Sequence, residues 1–193
     1  MEGLNIDIHN EVYLVPLKEE WAHAFHREKQ CIIGAMTAND HSGSVRHVGS
    51  TSIKGMVAKP IIDILVCPDD GIPVEDVIPD LEWIGYKNLG EGGRPGRYFM
   101  SRGDQPNETF YVHLCHESHP VAQDQLLFQK IERENPSICR KYIRMKLLLA
   151  DTFPEDREMY RVLKGLFIEG VLSAYRQAAG EEHKEDRHRQ GGE

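Results

Sequence analysis

The sequence has no long apolar run. Nowhere do the roughly 20 predominantly apolar residues of a membrane-spanning helix follow one another, and no basic N-terminal stretch leads into an apolar one. Membrane spanning and secretion are therefore disfavoured, and a cytoplasmic protein is expected. Cysteine is scarce as well. Cys31, Cys67, Cys115 and Cys139 stand far apart, with no CxxC pair and no short metal-ligand rhythm, which suits a reducing compartment where free cysteine acts as a small buried hydrophobe. Positive charge is in deficit: 23 Lys and Arg face 31 Asp and Glu, for a formal net charge of −8. Such a chain repels a nucleic-acid backbone unless a local basic patch overrides the mean, so nucleic acid is disfavoured as a partner. Internal repeats are missing too, and 193 residues fall within the range of one domain able to bury most of its unfolded surface.

What is present is an alternation of strand and helix signals. Trp21, Ala24, Phe25, Ile32, Ile33 and Met36 recur near a helical period and predict an amphipathic helix over 17–37, broken at 39–44. Val45–Val48 reads as a short strand entering the turn His47-Val48-Gly49-Ser50-Thr51-Ser52. Ile61–Val66, introduced by Pro60 and closed by Pro68-Asp69-Asp70-Gly71, is nearly unbroken in its apolar character, as expected of a central strand covered on both faces. Val74–Gly85 carries helical spacing and a C-terminal glycine. Residues 97–101 and 109–115 predict a hairpin around the turn 103–107. Helices follow at about 121–134, 136–151 and 154–176, Pro136 and Pro154 suiting first helical turns. Residues 1–176 thus read as a single α/β domain with a helical last third. Residues 177–193, polar, charged and glycine-terminated, predict a disordered tail.

Two features carry chemistry. Gly49-Ser50 at a strand end lets backbone approach a ligand closely and offers amide donors to a phosphate, although an ordinary tight turn with Ser50 or Ser52 as helix cap fits the same residues. Asp63 interrupts an otherwise apolar strand. A carboxylate there needs a cation, a metal or hydrogen bonds to offset its desolvation. Lys59 is one partner in reach, and a Mg²⁺ or Mn²⁺ ion shared with substrate phosphates is another.

The stretches His47-Val48-Gly49-Ser50-Thr51-Ser52-Ile53 and Ala58-Lys59-Pro60-Ile61-Ile62-Asp63-Ile64-Leu65-Val66 strongly resemble the GrpB family, also called UPF0157. The resemblance runs from about Val12 to Leu172 and takes in Arg97-Tyr98-Phe99, Tyr111-Val112-His113, Tyr142 with Lys146, and Asp156-Arg157. It implies a nucleotidyltransferase-like fold, a mixed sheet with flanking helices and a helical C-terminal third. That superfamily's usual site has Gly-Ser, an Asp-x-Asp strand and a later strand bearing a third carboxylate. In this chain Asp63 matches the first carboxylate, Leu65 stands at the second and His113 at the third, so the two-metal clamp does not carry over intact. Tyr111 replaces a histidine common in the family, which weakens a two-histidine site.

His113 is open to two readings, a metal ligand or general base and an inward strand histidine with a satisfied hydrogen bond. Arg97 offers a planar fork to phosphate and Lys59 a point charge, or both serve Asp63 structurally. His47 and Lys146 are lesser candidates. Three functions stay open. The first is metal-dependent nucleotidyl transfer from a nucleoside triphosphate to a small acceptor, with Asp63 and His113 catalytic and metal-binding and Gly49, Ser50, Lys59 and Arg97 on the phosphates. The second is a non-catalytic domain that holds a nucleotide or phosphometabolite. The third is a partner-docking protein whose last helices keep an exposed apolar patch.

Overall fold

The computed structural model describes residues 11–103 and 109–190, the stretch 180–190 by its backbone alone. The elements run β1 (Val15–Pro16), α1 (Glu19–Thr37), β2 (Gly43–Val48), a 3₁₀ turn (Ser50–Ser52), β3 (Val57–Ala58), β4 (Ile61–Pro68), a second 3₁₀ turn (Val74–Val77), α2 (Ile78–Trp83), β5 (Lys87–Asn88), β6 (Tyr98–Arg102), β7 (Thr109–Leu114), α3 (Pro120–Glu134), α4 (Pro136–Thr152) and α5 (Arg157–Gln190). Five strands form one mixed sheet in the order β2-β4-β7-β6-β5; β1 and β3 pair apart from it. Only β4 and β7 run parallel, and the other neighbours are antiparallel.

The apolar run after Pro60 is the second strand of the five and is covered on both faces, which is why it lacks the polar alternation of a half-exposed strand. Ile62, Ile64 and Val66 turn toward α1 and α2, where they pack with Trp21, Ala24, Ile32, Met36 and Leu81. Leu65 and Cys67 turn the other way, onto Ala122 and Leu126 of α3. The α1 stripe includes one buried acid, Glu28, which accepts hydrogen bonds from the Tyr86 hydroxyl (2.8 Å) and from Arg102 Nη2. Those donors offset its desolvation.

The last three helices form their own apolar layer, with Phe128, Ile131, Tyr142 and Leu172 packed against Ile53 and Met56. Pro120 and Pro136 both occupy first helical turns, where the missing N–H costs nothing. Leu147, Leu148 and Leu166 stay exposed on the outside of α4 and α5.

Several boundaries differ from the sequence-based expectation, among them the start of the last helix, which opens at Arg157 and leaves Pro154 ahead of its first turn. The helix expected over 74–85 opens as a 3₁₀ turn before α2. Arg97 lies one residue ahead of β6, and residues 104–107 of the expected hairpin turn lie outside the described residues. The helical backbone of α5 continues to Gln190, through the stretch read from composition as a disordered tail. That stretch is rich in Ala, Glu, Lys, Arg and Gln, and strong helix formers of this kind extend a helix that packing has already nucleated.

Candidate functional site

Strand register decides which candidates meet. Val48 pairs with Asp63, Asp63 with Tyr111, Leu65 with His113, and His113 with Phe99. Directly paired residues share a sheet face, so Asp63, Tyr111, His113 and Phe99 lie together on the face away from α1. His47, one residue before Val48, therefore projects to the opposite side. There it stacks on Phe25 (ring centroids 4.7 Å apart) and bonds Thr51 Oγ1 through Nε2 (2.9 Å).

Gly49 follows β2 at φ +69° and ψ −173°, a conformation open essentially to glycine alone. The close approach behind it is to Asp63, since a Cβ on Gly49 would fall 2.6 Å from Asp63 Oδ2. Asp63 keeps 32 % side-chain exposure although protein crowds it, so its carboxylate stays within reach of solvent. Burial pushes its pKa up to about 6, against a downward pull from Lys164. His113 Nε2 is 3.9 Å from Asp63 Oδ1, and the buried Nδ1 has no hydrogen-bond partner. Burial first, then Arg97, Lys164 and Arg94, pushes this imidazole down to about 3. At neutral pH it is uncharged, so Asp63 and His113 face each other as carboxylate and neutral base rather than as an ion pair.

Cations act on both groups. Lys164 of α5, half-buried beside Asp63, carries no mark in the sequence reading; burial lowers its pKa while Asp63 opposes the shift and Arg161 and Arg157 add to it. Lys59 does not bond Asp63. Its Nζ lies over the Tyr160 ring, 4.9 Å from the centroid, and burial together with Arg157 and Lys164 brings its pKa down to about 8. Arg157 Nη2 donates to the Tyr111 hydroxyl (3.2 Å). Arg97 is only 8 % exposed, its guanidinium over the Phe99 ring at 5.4 Å and its Nε without a partner.

Lys146 has a larger place than a lesser candidate would hold. It is 1 % exposed, and its Nζ reaches Ser50 Oγ (2.9 Å) and the Val57 carbonyl oxygen behind the Gly49-Ser50 turn. A signal for Lys146 and Lys164 is present in the sequence. Each is a lysine inside a helical apolar stripe, Lys146 between Tyr142 and Leu149 and Lys164 between Tyr160 and Phe167.

The donor set does not fit a metal pair. Among the described residues no three His, Cys, Asp or Glu side chains come together to hold a metal ion. Leu65, at the position of a second carboxylate, is 0 % exposed and packs on Ala122 of α3. What stands beside Asp63 instead is Lys164, with Arg97 and Arg94 near His113.

A surface hollow of about 710 Å³ between α1 and α2 is on the far side of the sheet, and two of its titratable groups are committed to a hydrogen bond from His41 Nδ1 to Asp80 Oδ2 (2.7 Å). The site is therefore assigned by chemistry and register, not by the size of a hollow.

Fold and site together define an α/β domain with a mixed five-stranded sheet that has helices packed on both faces, and with Asp63 beside His113 and Lys164 on the face that α3 shares. The chain belongs to the GrpB family, whose profile, described as GrpB protein, matches residues 11–174. A UPF0157 protein of Pseudomonas aeruginosa is 33 % identical over 168 residues, which is 84 % of this chain and 67 % of that one. The glutamate-rich protein GrpB of Alkalihalophilus pseudofirmus is 31 % identical, covering 84 % of this chain and 95 % of its own. A UPF0157 protein of Bacillus subtilis is 31 % identical over 78 % of this chain, which spans 43 % of that relative. The crystal structure of the conserved protein GrpB from Enterococcus faecalis superposes with a TM-score of 0.69 at 28 % identity, over 84 % of this chain and 99 % of that one.

The site makes a prediction about Asp63 alone. A carboxyl whose pKa is raised from 3.8 to about 6 in the folded state makes the native protein lose stability as pH rises from about 4 to 6, because there the folded chain binds more protons than the unfolded one. Asp63→Asn removes that penalty. We expect its unfolding free energy, from urea denaturation, to match wild type near pH 4 and to exceed it by about 1–2 kcal/mol at pH 7, after discounting for partial exposure. A large loss of stability at pH 7 would instead make Asp63 a structural ion-pair partner.

Proposed function

We propose that the cleft binds a small phosphorylated anion, a nucleotide or phosphometabolite, and serves transfer of a group from it. The observation that carries this reading is a run of neighbouring cations that reaches the carboxylate and its histidine, Lys164 beside Asp63, Arg97 and Arg94 near His113, and Arg157 and Lys59 next to Lys164, in a chain whose overall charge is −8. Partly buried cations close to one another depress one another's pKa values and are individually unfavourable; an anionic ligand relieves that cost. Arginine supplies a planar fork for phosphate oxygens and lysine a compact charge. The half-buried rings of Phe99 and Tyr111, next to Asp63 and His113 on the same sheet face, give a flat partner for a base or sugar.

In this reading Asp63 is the proton acceptor. With its pKa near 6 it is ionised at neutral pH yet more basic than an ordinary carboxylate, which suits it to take the proton of an attacking hydroxyl. Neutral His113 accepts or donates one hydrogen bond beside it. The clustered lysines and arginines neutralise phosphate charge, the task that a metal pair performs in the usual site of this superfamily.

Thermal shift with ATP, ADP, AMP and inorganic phosphate, each with and without Mg²⁺ or Mn²⁺, tests the reading, because a ligand that binds only the folded state raises its apparent stability. At least one phosphorylated ligand is expected to raise the midpoint in the absence of divalent ion. Lys164→Met is expected to lose at least about 10-fold in affinity, about 1.4 kcal/mol. A shift that appears only with Mg²⁺ or Mn²⁺ would overturn charge neutralisation by side chains and favour metal-dependent nucleotidyl transfer. No shift with any phosphorylated ligand would remove the anion site.

A further inference from the structure

Ser50 and Lys146 form a constellation that anion binding does not use. Ser50 opens the 3₁₀ turn behind Gly49 and is half-buried. Its Oγ is 2.9 Å from Lys146 Nζ and is also hydrogen-bonded to the Tyr142 hydroxyl. Lys146 comes from α4, 1 % exposed, with its other polar contact the Val57 carbonyl oxygen and the Tyr142 ring 4.5 Å away. A buried lysine kept for structure is normally held by a carboxylate in direct contact. The nearest acid in the cluster, Glu132 of α3, is 5 % exposed and its Oε1 has no hydrogen-bond partner at all. The amine's contacts are thus a hydroxyl and a carbonyl. Both accept from the amine, and once deprotonated the amine can instead accept from the Ser50 hydroxyl while still donating to Val57.

We propose that Ser50 is a nucleophile with Lys146 as its base, and that it accepts a phosphoryl or nucleotidyl group from a phosphoanhydride held in the adjoining cleft. A nucleophile and base within hydrogen-bond reach, the base oriented by further groups, is the general arrangement of covalent catalysis. In the first step the Oγ–P bond forms, the bond from phosphorus to the bridging oxygen breaks, and the Ser50 proton moves to Lys146 Nζ. The departing phosphate leaves as an anion among Lys59, Lys164 and Arg157. In the second step the acceptor's hydroxyl attacks phosphorus and gives its proton to Asp63, the P–Oγ bond breaks, and Lys146 returns its proton to Ser50.

The electrostatics agree with this. Burial brings Lys146 down to about 7, Glu132 of α3 and Cys139 of α4 opposing the shift and Lys164 of α5 adding to it. An appreciable fraction of the amine is therefore unprotonated at neutral pH. The identity of the transferred group rests on the anion-binding reading of the cleft, while the nucleophilicity of Ser50 does not.

The test treats the full-length protein with diisopropyl fluorophosphate, a neutral phosphorus electrophile that does not need the cationic walls, and locates the adduct by peptide mass spectrometry. Modification is expected at Ser50, with a rate that rises through a midpoint near pH 7. Lys146→Arg keeps a cation but offers no base in this range, and is expected to label about 100-fold more slowly. Tyr142→Phe should still label at Ser50. Folded wild-type protein that is unmodified at Ser50 would overturn the proposal, whatever the variants do. So would a labelling rate that Lys146→Arg leaves unchanged. A phosphate-dependent thermal shift without labelling defeats the nucleophile and leaves the anion site standing; labelling without any such shift does the reverse.

Discussion

Gly49→Ala is expected to be among the most damaging single-methyl changes available to this protein. At φ +69° and ψ −173° a side chain is strained whatever surrounds it, and here the new Cβ would meet the Asp63 carboxylate at 2.6 Å. The two effects act together, because the backbone cannot relax toward extended geometry without moving Ser50 off Lys146. We expect a loss of about 1–3 kcal/mol from the backbone conformation alone, read as a lower urea midpoint, together with loss of any phosphate-dependent thermal shift. Gly55, also at positive φ but with nothing within 4 Å of where a Cβ would stand, is the matched control. Gly55→Ala should cost less and leave ligand response intact. Equal losses at both glycines would show that Asp63 proximity plays no part.

Lys146→Ala is expected to cost more, about 3–5 kcal/mol, since it removes a long buried stem and strands the Val57 carbonyl oxygen and the Ser50 hydroxyl. Lys146→Met separates the two contributions: it keeps most of the volume and loses only the amine's hydrogen bonds, about 1–3 kcal/mol. Its pH dependence has a definite sign. The folded pKa of about 7 lies below the ordinary lysine value of 10.5, so between those values the unfolded chain binds more protons and wild-type stability rises with pH. Methionine has no such slope. The deficit of Lys146→Met is therefore expected to be smaller at pH 7 than at pH 9, by urea denaturation at both. A deficit equal at pH 7 and pH 9 would mean that the buried amine is held as an ammonium ion, since the folded and unfolded chains would then bind the same number of protons over that range.

Much of this is legible in the order of residues alone. The unbroken apolar run 61–66 reads as a two-sided strand because both faces must be apolar, and Asp63 stands out for the same reason. Register is harder to see. That Val48 rather than His47 faces Asp63 depends on the pairing of β2 with β4, and a shift of one residue would exchange the two. Lys59 reads as a neighbour of Asp63 because it is near in sequence, yet its ammonium turns to Tyr160 of α5. The cation beside Asp63 is Lys164, about a hundred residues further along. No local pattern announces such a contact; only the docking of α5 makes it. The helical extension of 177–190 escapes a reading of composition because composition reports how little a segment buries, whereas a helix already nucleated by packing needs only favourable propensity to continue.

That dependence on α5 bears on how the molecule comes into being. β2, β4 and β7 leave the ribosome before Arg157, Tyr160 and Lys164 have been synthesised, and domains tend to fold in the order of their emergence. A nascent chain that has already paired its sheet holds Asp63 and His113 with only part of their positive surroundings. The final helix supplies the rest, so the charge that faces Asp63 arises late and in one step. An incomplete chain, released early, would have the strands of the site without the lysine that stands against its carboxylate.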